Sequence, residues 1–231
     1  MQIHGFNKTT LLDYPKHLAA TVFLGGCNMR CPFCHNAALV INPNSQPSIS
    51  SEDVLSYLKK RRGILEGVCV TGGEPTLYPE LPDFINQIKS LGFKVKLDTN
   101  GTNPSMLRSL VGKGMLDYVA MDIKNAPEKY AQSSGVTALS LQHINESVTF
   151  LLTEPVEYEF RTTIVKELHT AQDMLLIGQW LRGAKAYYLQ TFKASEDMIT
   201  SDCSGHSKET MEYFLQILKP YIGQVFLRGV E

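Results

Sequence analysis

The feature of this sequence that most restricts its structure is a group of three cysteines, Cys27, Cys31 and Cys34, within eight consecutive positions. The chain has five cysteines in its 231 residues, so this Cys-x3-Cys-x2-Cys spacing indicates a metal or cluster site. A closed structural zinc site, like a conventional cubane iron–sulfur cluster, takes four protein ligands. Three thiolates therefore leave one metal position open, and an open position can bind a substrate.

Other interpretations of the same loop stay open on spacing alone. His35 could complete a Cys3His zinc site, although adjacent side chains such as Cys34 and His35 seldom converge on one tetrahedral ion. Residues 31–35 also match the Cys-x-x-Cys-His pattern of haem attachment, which requires an exported chain. The first ten residues contain no apolar segment typical of a signal peptide, and the odd cysteine count disfavours a disulfide framework.

Composition narrows the class of protein further. Hydrophobic residues make up 43% and charged residues 19% of the chain, as in a globular protein with a sizeable core. The formal net charge of −1 gives no electrostatic reason to expect nucleic-acid binding. No apolar run approaches the roughly 18–20 residues that span a bilayer. We therefore expect a compact cytoplasmic protein with neither nucleic acid nor membrane as a partner.

Short apolar runs rich in β-forming residues alternate with segments that have helical spacing of apolar residues. The predicted strands are 19–24, 67–70, 93–97, 116–121, 156–164, 186–192 and a terminal strand near 224–227. The sequence places capping signals before two of the predicted helices, at Ser50 with Asp53 and at Thr170 with Asp173. Alternation of this kind is typical of a largely parallel sheet with right-handed crossovers.

Six β/α units are fewer than the eight of a closed barrel. We therefore predict an α/β fold, an open six-unit β/α barrel with parallel strands, and keep a doubly wound sheet as the alternative. We expect residues 1–231 to form a single domain with its core at about 17–192. A helix and strand within 207–228 would then close the barrel.

Polar motifs follow the ends of four predicted strands. The cysteine loop follows the first strand, and residues 72–75 (Gly-Gly-Glu-Pro) follow the second. Asp98 lies at the end of the third strand, while Asp122 and Lys124 follow the fourth. Parallel α/β folds bind ligands at the carboxyl ends of their strands, so these motifs predict one active site.

These motifs resemble those of the radical S-adenosylmethionine (SAM) superfamily. Cys27, Cys31, Phe33 and Cys34 match its Cys-x3-Cys-x-aromatic-Cys hallmark, and residues 72–75 resemble its second motif. The resemblance implies one [4Fe–4S] cluster held by the three cysteines, with the amino and carboxylate groups of SAM on the fourth iron. It also implies that a 5′-deoxyadenosyl radical forms when SAM is cleaved reductively.

Within the superfamily the chain is most similar to glycyl-radical-activating enzymes, particularly those that act on anaerobic ribonucleoside-triphosphate reductase. The similarity lies in residues 5–15, 26–36, 98–101 and 121–124. It implies that the radical takes a hydrogen from a backbone glycine of the partner enzyme. It also implies flavodoxin or ferredoxin as the external reductant.

The resemblance further implies roles for individual side chains. The residues and their implied roles are Phe33 beside the adenine, Gly72 and Gly73 at the SAM amino group, Glu74 as a further cofactor-binding residue, Asp98 at the ribose or a monovalent cation, Asp122 at a cation or the substrate, Lys124 at the methionyl carboxylate, Arg161 near that carboxylate, and Asp13 facing the incoming glycyl loop.

The sequence also departs from parts of this family. Pyruvate formate-lyase activases carry a histidine after the sixth strand, where this chain has residues 190–193 (Gln-Thr-Phe-Lys), and this argues against that partner. Residues 37–66 contain no cysteine, so we expect a single cluster, with Cys69 buried in a strand and Cys203 either a thiol near the site or an exposed loop cysteine. The alternative is a small-molecule radical enzyme such as a 7-carboxy-7-deazaguanine synthase, which would need substrate-binding insertions.

Overall fold

The structure of the chain, a computed structural model, describes residues 1–195 and 197–229. Its described strands form one sheet of eight, whose spatial order follows the order of the chain. β1 is antiparallel to β2, and each later neighbouring pair is parallel. The strands are β1 (Ile3–Thr10), β2 (Ala19–Leu24), β3 (Gly67–Gly72), β4 (Lys94–Thr99), β5 (Tyr118–Asp122), β6 (Glu157–Ile164), β7 (Ala186–Thr191) and β8 (Gln224–Arg228).

This strand order decides between the two predicted architectures. A doubly wound sheet reverses its strand order at a switch point, and the order here runs from β1 to β8 without a reversal. No pairing in the described part of the chain joins β8 back to β1, so the sheet stays open. The open barrel with parallel strands is therefore confirmed. β8 extends the sheet beyond β7 instead of closing it onto β1.

Helices connect the parallel strands, and local sequence signals set their starts. The Ser50 hydroxyl accepts a hydrogen bond from the amide of Asp53 at 3.0 Å, and Thr170 forms a complete capping box with Asp173. Both predicted caps are thus confirmed. The helices in the described residues are α1 (Ala37–Ile41), α2 (Ser51–Lys60), α3 (Leu81–Ser90), α4 (Pro104–Gly112), α5 (Tyr130–Ser134), α6 (Leu141–Leu152), α7 (Ala171–Trp180) and α8 (Lys208–Leu218). None of them is long and apolar enough to cross a membrane.

The two faces of the sheet have different chemistry, as the alternation along β4 shows. Val95 and Leu97 are fully buried in the apolar core that the sheet forms with the helices. Lys96 and Asp98 point to the opposite face, where they line a cavity inside the barrel. The barrel interior is therefore polar and charged.

The first strand, β1, was not predicted from the sequence. β1 carries exposed residues over Asn7–Thr9, and only Ile3 and Thr10 at its two ends are buried. It is an edge strand whose pairing with β2 is interrupted by register shifts, so it lacks the apolar run by which the buried strands are recognised. The five-residue helices α1 and α5 were missed as well, because they are too short to show a helical period.

The capping box of α7 gives a test of this local analysis. We expect Thr170→Ala to lower the free energy of unfolding by about 1 kcal/mol, because the first turn of the helix loses a side-chain acceptor. The measurement is urea unfolding followed by circular dichroism.

Ser140 provides a matched control, since it occupies the equivalent position before α6 but its side chain makes no capping hydrogen bond. Ser140→Ala should change the free energy of unfolding by less than about 0.5 kcal/mol. Equal losses in the two variants would contradict the assignment of the cap.

Candidate active site

A cavity of about 430 Å³ opens at the carboxyl ends of the parallel strands. Its volume lies in the range of sites that bind small ligands and cofactors. The structure brings eleven of the twelve predicted site residues to its walls, namely Asp13, Cys27, Cys31, Phe33, Cys34, Gly72, Gly73, Asp98, Asp122, Lys124 and Arg161. The remaining one, Glu74, lies behind the wall.

The cysteine loop is held by hydrogen bonds to distant segments of the chain. The amide of Arg30 donates to the carbonyl of Ser134 at 2.8 Å, and the amide of Thr200 donates to the carbonyl of Pro32 at 3.1 Å. Within the loop, the amide of Met29 donates to the Cys27 Sγ at 3.3 Å. The loop is thus fixed on both sides, with its cysteines against the cavity.

Burial and a nearby ammonium act in opposite directions on two of the three thiols. Burial raises the pKa of Cys27 to about 12 and that of Cys31 to about 11, while the Lys124 ammonium acts in the opposite direction at both. Thiols of this kind lose their protons on binding a metal ion, so cluster assembly here releases protons. In a cubane cluster each of the three cysteines would bind a different iron. Among the described residues, no three His, Cys, Asp or Glu side chains converge to bind one ion.

Two glycines after β3 allow the second motif to contact the cysteine loop through the backbone. A Cβ on Gly73 would lie 1.8 Å from the carbonyl oxygen of Gly26, and Gly72 has a φ of +113° that other residues rarely adopt. The amide of Gly73 donates to the carbonyl of Leu24 at 2.8 Å, and the amide of Glu74 donates to that of Gly26 at 2.9 Å. We call the Gly72–Gly73 backbone, which has no side chains towards the cavity, the two-glycine cradle. This cradle and the three cysteines fit a cluster held by three cysteines with a small ligand beside it.

Glu74 does not take the position that the resemblance implied. Its carboxylate is fully buried and accepts hydrogen bonds from the Thr99 hydroxyl at 2.8 Å and the Asn100 amide at 2.6 Å, besides two donors of Thr76. Burial raises the pKa of Glu74, and these hydrogen bonds oppose that rise. Its side chain therefore joins the second and third motifs and does not face the cavity.

Asn100, which the sequence analysis did not single out as a site residue, continues this connection. Its Nδ2 donates to the Asn28 Oδ1 at 2.9 Å and lies 3.9 Å from the Cys27 Sγ. Glu74 and Asn100 thus link the third motif to the first cysteine of the loop. Asn100 belongs to the Asp-Thr-Asn-Gly motif at residues 98–101, which the sequence placed at the site. The sequence alone did not show which side chain of this motif reaches the cysteines.

Four charged residues alternate in sign across the cavity wall. The Arg161 Nε donates to the Asp122 Oδ1 at 2.5 Å, and the Arg161 Nη2 donates to the Asp98 Oδ2 at 3.0 Å. The Lys124 Nζ donates to the Asp122 Oδ2 at 3.0 Å. Burial would raise the pKa of Asp122, but Arg161 and Lys124 outweigh it and hold that pKa well below its usual range. Burial would lower the pKa of Lys124, whereas Asp122 and Cys31 raise it, so Lys124 stays charged.

Phe33 and Asp13 lie on other parts of the cavity wall. Phe33 is buried, and its ring meets His169 edge to face with centroids 6.5 Å apart. His169 Nε2 in turn donates to the carbonyl of Lys124 at 2.9 Å, which connects the aromatic position to the fourth motif. Asp13 lies in the loop after β1 and accepts a hydrogen bond from the Thr21 hydroxyl at 2.5 Å.

The two remaining cysteines do not line the cavity. Cys69 is buried in β3, as predicted. Cys203 is half-buried, and its loop contacts the cysteine loop through the hydrogen bond from Thr200 to Pro32.

The family model of the radical SAM superfamily matches residues 21–154, which include the cysteine loop and the next three strand-end motifs. The chain therefore belongs to the radical SAM superfamily. Its members use a [4Fe–4S] cluster and SAM.

Comparison with individual proteins extends this assignment. The chain is 27% identical over 234 residues to a protein of Methanocaldococcus jannaschii that carries the provisional name glycyl-radical enzyme activating enzyme MJ1227, covering 99% of this chain and 96% of that protein. It is 29% identical over 144 residues to a 7-carboxy-7-deazaguanine synthase of Neisseria meningitidis, covering 62% and 61% of the two chains. Streptococcus suis SuiB bound to S-adenosylmethionine shares the fold with a TM-score of 0.68 at 11% identity, over 90% of this chain and 52% of that one.

The contact between the two motif loops can be tested at Gly73. We expect Gly73→Ala to reduce the iron and sulfide bound after anaerobic reconstitution severalfold, because the new methyl group would collide with the Gly26 carbonyl. Iron, sulfide and visible absorption would be measured on the purified variant.

Gly112→Ala is the matched control, since a Cβ there meets no atom within 4 Å and Gly112 lies in the helix α4. This control should bind iron and sulfide as the unchanged protein does. Full cluster content in Gly73→Ala would show that the two loops do not need this close approach.

Proposed function

We propose that this chain is a radical SAM activase that abstracts a hydrogen atom from a backbone glycine of a partner protein. The observation that carries the proposal is one cavity where three cysteines, the two-glycine cradle and Lys124 meet. A cluster held there and reduced by an external donor would supply the one electron needed for cleavage of the C5′–S bond of SAM to methionine and a 5′-deoxyadenosyl radical. The remaining tasks belong to the protein, which must bind, orient and shield the reacting groups.

The residues divide these tasks among them. Cys27, Cys31 and Cys34 hold the cluster. The Gly72–Gly73 backbone receives the SAM amino group, and Lys124 pairs with the methionyl carboxylate, since its ammonium is held in the cavity by Asp122. Phe33 packs beside the adenine. The ligand lies above three paired charges, those of Arg161, Asp98 and Asp122, which hold one another in place.

An activase role is supported over small-molecule chemistry by the extent of the similarity. The M. jannaschii relative matches nearly the whole of both chains, whereas the 7-carboxy-7-deazaguanine synthase matches about three fifths of each. The open sheet also leaves room for a partner's loop, and Asp13 lies in the loop that follows its first strand. We propose that Asp13 faces that glycine-bearing loop.

For the particular partner we propose anaerobic ribonucleoside-triphosphate reductase, with flavodoxin or ferredoxin as the electron donor. The support is the motif resemblance of residues 5–15 and 26–36, together with the absence of histidine from residues 190–193. We propose that residues 1–231 act as one domain, a cytoplasmic enzyme with a single cluster.

The side chain of Arg161 occupies the place where the resemblance implied a monovalent cation. Asp98 and Asp122, the carboxylates proposed to hold it, are bridged by the Arg161 guanidinium. A bound cation would have to share these carboxylates with that guanidinium. We propose that Arg161 supplies the positive charge and that the site needs no added cation.

Exchange of the buffer cation tests this assignment. At constant ionic strength, replacing sodium or potassium with tetramethylammonium should change the Kd for SAM by less than about twofold, because no small cation leaves the site. Equilibrium dialysis of the cluster-loaded protein gives the Kd. A tenfold dependence on the small cation would show that Arg161 gives way to it.

The decisive experiment for the function is carried out without oxygen. The reconstituted protein, dithionite and SAM should yield 5′-deoxyadenosine, measured by chromatography, and Cys31→Ala should lower the rate by on the order of 100-fold because a cluster ligand is lost. Cys203→Ser is the matched control, since Cys203 lies outside the cavity wall. It should retain the cluster and the rate. A colourless protein that binds one zinc ion and makes no deoxyadenosine would refute the proposal.

The partner is tested in a second stage. Adding the reductase should produce a glycyl radical, detected by electron paramagnetic resonance, and should raise the yield of deoxyadenosine. Cleavage of SAM without a glycyl radical on this partner would retain the radical chemistry and reject the target.

A further inference from the structure

Lys96 is a buried lysine that the mechanism above does not use. It lies in the middle of β4, and 2% of its side chain is exposed. Lys94, two residues earlier on the same strand, is exposed. A lysine inside a protein is costly unless its charge is paired, so the partners of Lys96 indicate its role.

The Lys96 ammonium has two neighbours within the barrel. It forms an ion pair with the Asp98 Oδ1 and lies 3.7 Å from the Cys69 Sγ. Burial alone would lower the pKa of Lys96, but the Asp98 carboxylate raises it above its ordinary value, so the group is charged at neutral pH. Lys96 therefore acts as a fixed cation below the floor of the active-site cavity.

Through Asp98, this cation is the inner end of a chain of five alternating charges. Asp98 gives one carboxylate oxygen to Lys96 and the other to Arg161 Nη2. Arg161 Nε then contacts one oxygen of Asp122, and the second oxygen of Asp122 contacts Lys124 Nζ. Each carboxylate is shared between two cations, so the position of each cation depends on the one before it.

Removing the inner cation would change this sharing. Asp98 would then have both oxygens available to Arg161, and a bidentate pair is the favoured geometry of a guanidinium with a carboxylate. Such a pair would draw the guanidinium away from Asp122. Asp122 and Lys124 would in turn be free to shift together at the cavity wall.

We propose that Lys96 is a positioning residue for SAM binding: it holds Asp98, and through Arg161 and Asp122 it sets the place of the Lys124 ammonium. This inference rests on the proposed function, in which Lys124 binds the methionyl carboxylate. Lys96 itself touches neither the cluster nor SAM, because it lines only the smaller cavity beneath.

The test compares Lys96→Met with Lys94→Met, which removes an exposed lysine from the same strand. We expect Lys96→Met to raise the Kd and the KM for SAM about tenfold, the effect of weakening one charge-assisted hydrogen bond, with kcat changed less than about threefold. Lys94→Met should leave the Kd, KM and kcat unchanged. The Kd is measured by equilibrium dialysis of the cluster-loaded proteins, and KM and kcat from deoxyadenosine formation.

Lys96→Arg keeps the charge and should recover most of the affinity. A merely structural role would lower the stability and the active fraction, but the folded protein would bind SAM normally. An unchanged Kd in a folded Lys96→Met variant would therefore overturn the proposal.

If Lys96→Met does not fold, a double variant decides instead. Lys96→Met combined with Asp98→Asn leaves no unpaired carboxylate and should bind SAM within about twofold of Asp98→Asn alone, since Lys96 acts through Asp98. A much weaker double variant would refute the proposed route. The binding assay also distinguishes a failure of this inference from a failure of the proposed function. If the unchanged protein binds SAM without cleaving it, the proposed activase function is wrong. The Kd values of the variants still test the role of Lys96 in that case.

Discussion

The bridge that Arg161 makes between Asp98 and Asp122 is the interaction on which the interior of this barrel depends. Two carboxylates on adjacent strands β4 and β5 would repel each other in a space of low dielectric constant, and the desolvation of each ion costs several kcal/mol. One guanidinium from β6 satisfies both of them. Because the interior is filled with paired charges, it stays polar up to the cavity, and the neighbouring helices provide the apolar packing on the other face.

The features that depend on local sequence patterns, or on the repeated strand–helix alternation, could be predicted from the sequence. Strand positions followed from apolar runs, and helix starts from capping residues such as Thr170. The convergence of the site followed from one topological fact, that parallel strands end at the same edge of a sheet. This explains why motifs as far apart in the sequence as Cys27 and Lys124 could be assigned to one cavity without any knowledge of side-chain contacts.

The features that escaped prediction depend on what surrounds a side chain in the folded protein. Lys94 and Lys96 both occupy polar positions of an alternating strand in the sequence. In the structure Lys94 is exposed, whereas Lys96 is buried against Asp98. Glu74 belongs to a motif that lines the cavity, but its carboxylate turns towards Asn100. β1 has the composition of a loop because an edge strand needs few apolar residues. Tertiary contacts decide each of these cases, and a single sequence does not encode them in a local pattern.

The close approach of Gly73 to Gly26 joins the two motif loops through the main chain alone. The amides of Gly73 and Glu74 donate to the carbonyl oxygens of Leu24 and Gly26, so none of these contacts involves a cysteine sulfur. The bend that leads into Cys27 is therefore held by hydrogen bonds that do not depend on the cysteine side chains. A substitution at one of the three cysteines removes a sulfur ligand but leaves both backbone hydrogen bonds available.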